Sequence, residues 1–345
     1  MPSLTLTLET VTPLFLAGAD PRGAPELRPP SFRGAMRYWL RAGLGGLGYG
    51  LPAVRQREGL VFGSAGEDGA RASTIAVRLY PLGDVLAEPF QRDSRGRDDI
   101  SGRDYLYWTA ARTRDLPERR YIRPGQRFRL TLEDRSLGEA KEAFLPAVAS
   151  LWLLLQLGGV GSRSRRCGGS LAVVEPPELK GPSWMLRGKE AKSVAAELGA
   201  ALTAVRRSIG TVAGPAPSLP TDYDVLSPAT CSIRVLGVWP DAKAALDKVG
   251  STLRRFRAGQ PLPARAGFGL PIQNLRLDED VRRRASPLWL KLARAGGGYA
   301  CVATLFRSRL LPAEARPSGS LPRSPDLVER FLSEEWPGAA EVHYE

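Results

Sequence analysis

Two hydrophobic periods alternate along residues 4–174, and their order restricts the fold more than any other property of this chain. Leu4, Leu6 and Leu8 alternate with threonines, the pattern of a strand with one wet face. After a Gly/Pro-rich loop over 18–30, Phe32, Met36, Leu40 and Leu44 recur at helical spacing beside Trp39, with Ser31 placed as the N-cap. Ile75, Val77 and Leu79 alternate as a second strand, and Phe128, Leu130 and Leu132 as a third. A helix then carries Phe144, Val148, Leu151, Trp152 and Leu155, in which Pro146 either makes a kink or sits in the first turn. Residues 171–174 read as a fourth strand. Strand–helix–strand–strand–helix–strand is the ferredoxin-like arrangement. An insertion is expected near 84–104, because 91–104 mix Arg, Asp, Ser and Gly without periodicity and read as solvated.

At 345 residues the chain is long enough for about two domains. Prolines and glycine cluster over 175–183, which predicts an N-terminal unit of 1–178 and a C-terminal α+β unit of 183–345. In the latter, Val194, Leu198, Leu202, Val205 and Ile209 form an amphipathic helix. Ile233, Val235 and Val238 suggest a strand whose alternation Leu236 breaks. Asp241 caps a helix with Ala245, Val249, Leu253 and Phe256 on one face, and 287–293 pairs with 299–305 across Gly296-Gly297-Gly298. Residues 312–325 read as a linker and 327–332 as a short helix. No short-period repeat of the solenoid type is visible. The expected fold class is α+β, two ferredoxin-like (RRM-like) domains, the second less regular.

Charge narrows the partners. Lys and Arg number 49 against 36 Asp and Glu, a net +13, and such a surface favours a polyanion through paired phosphates and released counterions. Cys167, Cys231 and Cys301 stand far apart without a CxxC spacing, and the one histidine is His343, so no zinc site assembles. No metal and no cofactor are expected. Unpaired cysteines suit a reducing cytosol, and a cytoplasmic location is expected. The longest apolar run, 151–157 interrupted by Gln156, is far below the roughly 20 residues that span a bilayer, so no membrane partner is expected.

Two segments are candidates for anion binding. In 157–171, LGGVGSRSRRCGGSL, glycines such as Gly161 let backbone approach a ligand, Arg163, Arg165 and Arg166 supply forked donors, and Ser162 and Ser164 add hydroxyls. The alternative is a helix-to-strand connection whose arginines face water. On either reading, substitution of these arginines is expected to leave the core intact. In 28–41, RPPSFRGAMRYWLR, Arg33, Arg37 and Arg41 stack along one side of a helix, and Ser31 leaves N–H groups at its start for a phosphate. The plainer alternative is a solvated helix face. Basic groups at 119–123, 254–255 and 282–284 read as helix ends or loops.

At these segments the chain resembles a known family. SFRGAMRYWLRA after its Gly/Pro-rich loop, Phe62-Gly63-Ser64, and GGVGSRSRRCGGSL are similar to the RAMP superfamily of CRISPR proteins. Within it the resemblance is to the first subunit of the Cmr module of type III-B effectors, and PLWLKLARAGGGYACVATLF resembles the second domain of that subunit. Cys167-Gly168-Gly169 stands where the family commonly carries Gly-Phe-Gly, and Gly267-Phe268-Gly269 reads as the counterpart loop of the second half. The resemblance implies assembly with other Cas proteins around a guide RNA. The chain would hold the guide's 3′ region or the guide–target duplex, with base pairing reading the target RNA sequence. Trp39, Trp108 and Tyr121 are candidates to stack on bases.

The rival reading is a metal-dependent RNA-cleaving subunit. Related backbone subunits cut with an aspartate in the loop after the first strand, and Asp20 in Gly18-Ala19-Asp20-Pro21 occupies a comparable loop. An aspartate before proline is equally a turn residue. Guide-processing enzymes often use histidine, and His343 is badly placed for that chemistry.

Overall fold

β1 (Ser3–Thr10) buries Leu4, Leu6 and Leu8 on one side and leaves Ser3 and Thr5 exposed on the other. The computed structural model describes residues 1–65, 69–93, 100–136, 141–177, 181–215, 217–275, 283–311, 321–322 and 325–345. β1 is followed by α1 (Pro29–Gly46), α2 (Leu51–Phe62), β2 (Ile75–Pro81), β3 (Ala87–Pro89), α3 (Gly102–Leu106), β4 (Arg120–Ile122), β5 (Arg127–Asp134), α4 (Lys141–Leu157) and β6 (Leu171–Val173). The first sheet runs β2-β5-β1-β6 with every pair antiparallel. Counting its strands in chain order gives 2-3-1-4, the ferredoxin-like order expected. β3 and β4 form a separate small ribbon.

The second half has α5 (Ala191–Ile209), β7 (Cys231–Trp239), α6 (Ala242–Ala258), β8 (Leu288–Ala295), β9 (Gly298–Phe306), α7 (Asp326–Glu334) and β10 (Ala340–Glu341). Its sheet, β10-β7-β9-β8, repeats the same antiparallel order. Asp241 caps α6 by accepting the Ala244 N–H at 2.8 Å. The lapse in alternation at Leu236 is a β-bulge between Val235 and Gly237. Most of the predicted linker, 312–320 with 323–324, lies outside the described residues, as do 178–180 at the expected domain boundary.

The two sheets differ in what covers them. One face of the first sheet packs on α1 and α4, and the other is open along β2, β5 and the start of β1 but covered at Glu9 and Ala172 beside the second half. The second sheet is covered on both faces: Ile233, Val235, Trp289, Ala293 and Val302 join the cluster of α1, α4 and α5, while Leu288, Leu290, Leu292, Ala303 and Leu305 join the cluster of α6 and α7. The near-continuous apolar runs of β8 and β9 follow from this double burial. Trp39 of α1 and Trp289 of β8 meet with ring centroids 5.3 Å apart, so one core runs through both halves.

Two expectations need correction. Ser31 is not the N-cap of α1; Arg28 is, and Pro29 and Pro30 occupy the first positions. Proline fits there because its missing N–H would have no helical partner. The expected solvated insertion is partly docked: Arg103 N–H donates to Asp247 Oδ1 at 3.0 Å, and Arg254 donates to the Ile100 carbonyl at 2.7 Å. Gly102 and Gly250 lie so close that a Cβ on either would strike the other segment's backbone. Residues 94–99 of that insertion lie outside the described residues.

Candidate nucleic-acid interface

The glycine-rich loop leaves α4 and folds back on the segment that follows β1. Ser162 N–H donates to the Phe15 carbonyl at 2.9 Å, and Gly169 N–H to that of Pro13 at 2.9 Å. A Cβ at Gly161 would collide with the Phe15 carbonyl, and one at Gly169, where φ is +59°, with that of Val160. The glycines are needed for close packing of backbone on backbone.

Its arginines point inward, against expectation. Arg163, itself left-handed at φ 64°, donates through Nε to the Leu106 carbonyl at 2.7 Å. Arg166 is buried and donates to the carbonyls of Leu288 (3.2 Å) and Phe268 (3.0 Å) and to Ser286 Oγ (3.1 Å). Arg165 lies over the Trp289 ring at 4.4 Å, donates to the Ser286 carbonyl, and pairs with Asp224 Oδ2 at 3.3 Å through both terminal nitrogens. Asp224 is 6% exposed and also accepts from Tyr38 and from Ser308, each at 2.6 Å. Burial pushes the Arg166 guanidinium down to about 9 and that of Arg163 down to about 10, while burial and the Asp224 charge push the Tyr38 phenol up. Arg165 and Arg166 thus fasten the two halves together, and Arg163 ties the loop to α3 within the first half. Their removal would disturb the core rather than spare it. Gly161, Ser162 and Ser164 stay at the outer edge, where Ser162 Oγ accepts from Arg119 at 3.0 Å.

The stripe on α1 divides similarly. Arg37 and Arg41 pair with the buried Glu58 of α2 at 2.5 and 3.1 Å, and Arg37 also donates to the carbonyls of Phe62 and Gly63. Arg33 has no side-chain partner among the described residues. Ser31 offers no docking point at the helix start: two prolines precede it, and its own N–H donates to the Arg28 carbonyl.

The candidate aromatics separate by burial. Trp39 and Tyr121 are core residues; only Trp108 is exposed, at 41%, with Arg92 stacked 4.2 Å above it. Asp20 is a turn residue whose carboxylate accepts the Arg22 N–H at 2.9 Å. Arg255 pairs with Glu335, and Arg284 donates to Ser308 and to the Arg309 carbonyl; Arg282 lies outside the described residues.

Residues that the sequence reading passed over face water on the open side of the first sheet. Tyr80, 66% exposed, is opposite Arg129 on β5, which is opposite Thr7 on β1. The Arg129 side chain has no partner among the described residues, whereas Arg78 pairs with Glu133 at 2.8 Å. The wet positions of these strands carried the signal, once one face was known to be open.

The second half also holds a duplicated turn. Gly267-Phe268-Gly269 lies between α6 and β8, so its topological partner is the turn before β2 and not the glycine-rich loop before β6. Phe62-Gly63-Ser64 precedes Arg71-Ala72-Ser73, and Phe268-Gly269-Leu270 precedes Arg284-Ala285-Ser286. In each, the phenylalanine is buried, the second-position glycine has φ of +80° or +108°, and the third residue bridges to the arginine.

A family model described as the RAMP superfamily matches residues 7–172. A Pyrococcus furiosus protein, CRISPR system Cmr subunit Cmr1-1, is 31% identical over 317 aligned residues, and the match covers 88% of each chain. The chain belongs to the RAMP superfamily, among proteins similar to Cmr1. A second Cmr1 relative of that organism, Cmr1-2, is 33% identical over 182 residues, covering 48% of this chain and 92% of the relative. The crystal structure of P. furiosus Cmr1 in its apo form superposes with TM-score 0.67 at 24% identity, over 100% of this chain and 99% of that one. A chain of the type III-B Cmr-beta assembly bound to cognate target RNA and AMPPnP superposes with TM-score 0.58 at 12% identity, over 96% and 98%. These superpositions show that the fold of Cmr1 extends over both halves.

Proposed function

We propose that this chain is an RNA-binding subunit of a type III-B CRISPR effector, holding the guide RNA 3′ region or the guide–target duplex without cutting RNA itself. The observation that carries the reading is that the +13 excess is displayed, in part, by arginines without acidic partners among the described residues, with Arg129 beside the exposed Tyr80 on an open sheet face. An aromatic ring next to a guanidinium on such a face suits a stacked base and its phosphate. Arg33, Gly161, Ser162 and Ser164 remain candidate contacts, whereas Arg163, Arg165, Arg166, Arg37 and Arg41 act from inside. Partners on this reading are guide RNA, target RNA and the other Cas proteins. Residues 1–178 and 183–345 are two units working as one body, a division supported by the two repeated sheets and by the core they share. Binding without cleavage is supported by Asp20, whose carboxylate is engaged in its own turn.

Titration of single-stranded RNA at several salt concentrations tests the reading. Affinity should fall steeply with salt and vary little with sequence, and magnesium should bring no cleavage. Flat salt dependence, or cutting lost on Asp20→Ala while binding persists, would replace this function with another.

A further inference from the structure

A cleft of about 620 Å³ opens between α2, the start of α4 and the end of α5, away from the open sheet face. Three arginines from distant parts of the chain line it: Arg57 of α2, Arg71 of the duplicated turn, and Arg207 in the last turn of α5. None has an ion-pair or side-chain hydrogen-bond partner among the described residues. Leu60, Leu145 and Ile209 supply an apolar floor, and Glu142 is the one carboxylate on the lining.

The surroundings direct each arginine to the cleft. Arg57 is stacked on Tyr49 at 4.5 Å. Arg206 is drawn inward to the carbonyls of Leu226 and Gly46 at 2.7 and 3.3 Å, which sets its neighbour Arg207 on the outer side of α5. The backbone of Arg71 is bonded in both directions to Ser64. The duplicated turn gives independent support. In the second half the equivalent arginine, Arg284, already has an anionic neighbour, Asp224 at 3.9 Å, together with Ser308. In the first half the same turn presents Arg71 to an open cleft.

We infer that this cleft binds a nucleotide unit, with phosphate on Arg57, Arg71 and Arg207 and the base over Leu60, Leu145 and Ile209. Forked guanidiniums match phosphate oxygens, and the volume lies in the range of small-ligand clefts. The unit is either part of an RNA strand or a free nucleotide. The strand case rests on the RNA-binding reading above and the free case does not.

The test uses the full chain and three probes: a labelled ten-nucleotide RNA, AMP, and an acidic peptide. Arg71→Glu/Arg207→Glu is compared with wild type and with Arg112→Glu/Arg114→Glu, which makes the same charge change on an exposed segment outside the cleft. RNA should bind the cleft variant at least about tenfold more weakly than the control, and the slope of log affinity against log salt should shrink by about 0.7 for each lost phosphate contact. Melting curves confirm folding, with Arg71→Ala/Arg207→Ala as the gentler pair. If RNA binds the two variants alike, the cleft assignment falls and the RNA reading stands. If wild type binds AMP but not RNA, and the cleft variant loses AMP, the site stands and the RNA reading falls. Binding of the acidic peptide alone overturns the assignment in favour of a protein partner, and binding of no probe overturns both readings.

Discussion

The turns at Phe62-Gly63 and Phe268-Gly269 have the same construction and opposite surroundings. In both, a buried phenylalanine and a glycine at positive φ bring an arginine in front of the next strand. The second turn is closed: Arg284 lies against Asp224 and Ser308, and Arg166 reaches across from the first half to the Phe268 carbonyl. The first turn is closed only on its inner side, by Arg37 on the Phe62 and Gly63 carbonyls, and Arg71 faces the cleft. Local sequence therefore builds the turn, while the neighbouring half decides whether its cation is spent inside or left for a ligand.

The sharpest way to break this contrast is Asp224→Ala. It leaves Arg165 beside an empty carboxylate position and deprives Tyr38 and Ser308 of their acceptor. Loss of one partner from a buried ionic group typically costs about 3–5 kcal/mol, so a large fall in melting temperature is expected. Asp224→Asn, which keeps an acceptor for the hydroxyls, should fall less. Unchanged melting of the alanine variant would mean that the closed turn is not closed by charge.

Arg166→Ala follows in size. Its removal strips donors from three main-chain carbonyls, of Arg165, Phe268 and Leu288, and a buried hydroxyl, at about 1–3 kcal/mol for each group left unsatisfied, partly offset by relief of a desolvated cation. Melting should drop clearly, and Arg166→Lys should not restore it, because a single ammonium cannot reproduce the fork. A variant that melted like wild type but lost RNA would return Arg166 to the ligand-facing class.

Lys291 extends the contrast to a buried cation that donates to a carbonyl, that of Leu171, at 2.7 Å. Burial brings its ammonium down to about 7 from the ordinary 10.5. Between those values the unfolded chain binds more protons than the folded one, so this group makes stability rise with pH across that window. Below pH 7 both states are charged and the full burial penalty applies. Lys291→Met should therefore gain most over wild type in melting temperature near pH 6, and the gain should shrink as pH approaches 10. A difference independent of pH would show that the ammonium is solvated.

The smallest effect on stability is expected at Arg71. Arg71→Ala should leave the melting temperature nearly unchanged, as surface changes usually do, while Arg284→Ala lowers it. RNA affinity should respond in the reverse order. If both alanine variants melt alike, the two turns are equivalent and the comparison fails.

The strands were legible wherever one face meets water. Leu4-Thr5-Leu6-Thr7-Leu8 and the wet and dry positions of β5 carry period 2 because half of each strand is solvated. β8 and β9 lack that alternation because both their faces are covered, which is why the second half looked less regular while repeating the same strand order. α2, the β3–β4 ribbon and β10 were not anticipated. α2 carries no consistent apolar face, and the last two are only two or three residues long.

By itself, the sequence determined the first strand–helix order, the Asp241 cap and the hairpin of the second half, the net charge and the family. Those depend on neighbours along the chain, or on motifs written in it. Only the tertiary structure decided the fate of each cation. Arg163, Arg165 and Arg166 lie within four residues and are spent inside the fold, the last two between the halves; Arg57, Arg71 and Arg207 are scattered and share one cleft. A guanidinium is satisfied by whatever carbonyl, carboxylate or water the fold brings within about 3 Å, and that distance is fixed by packing rather than by order along the chain.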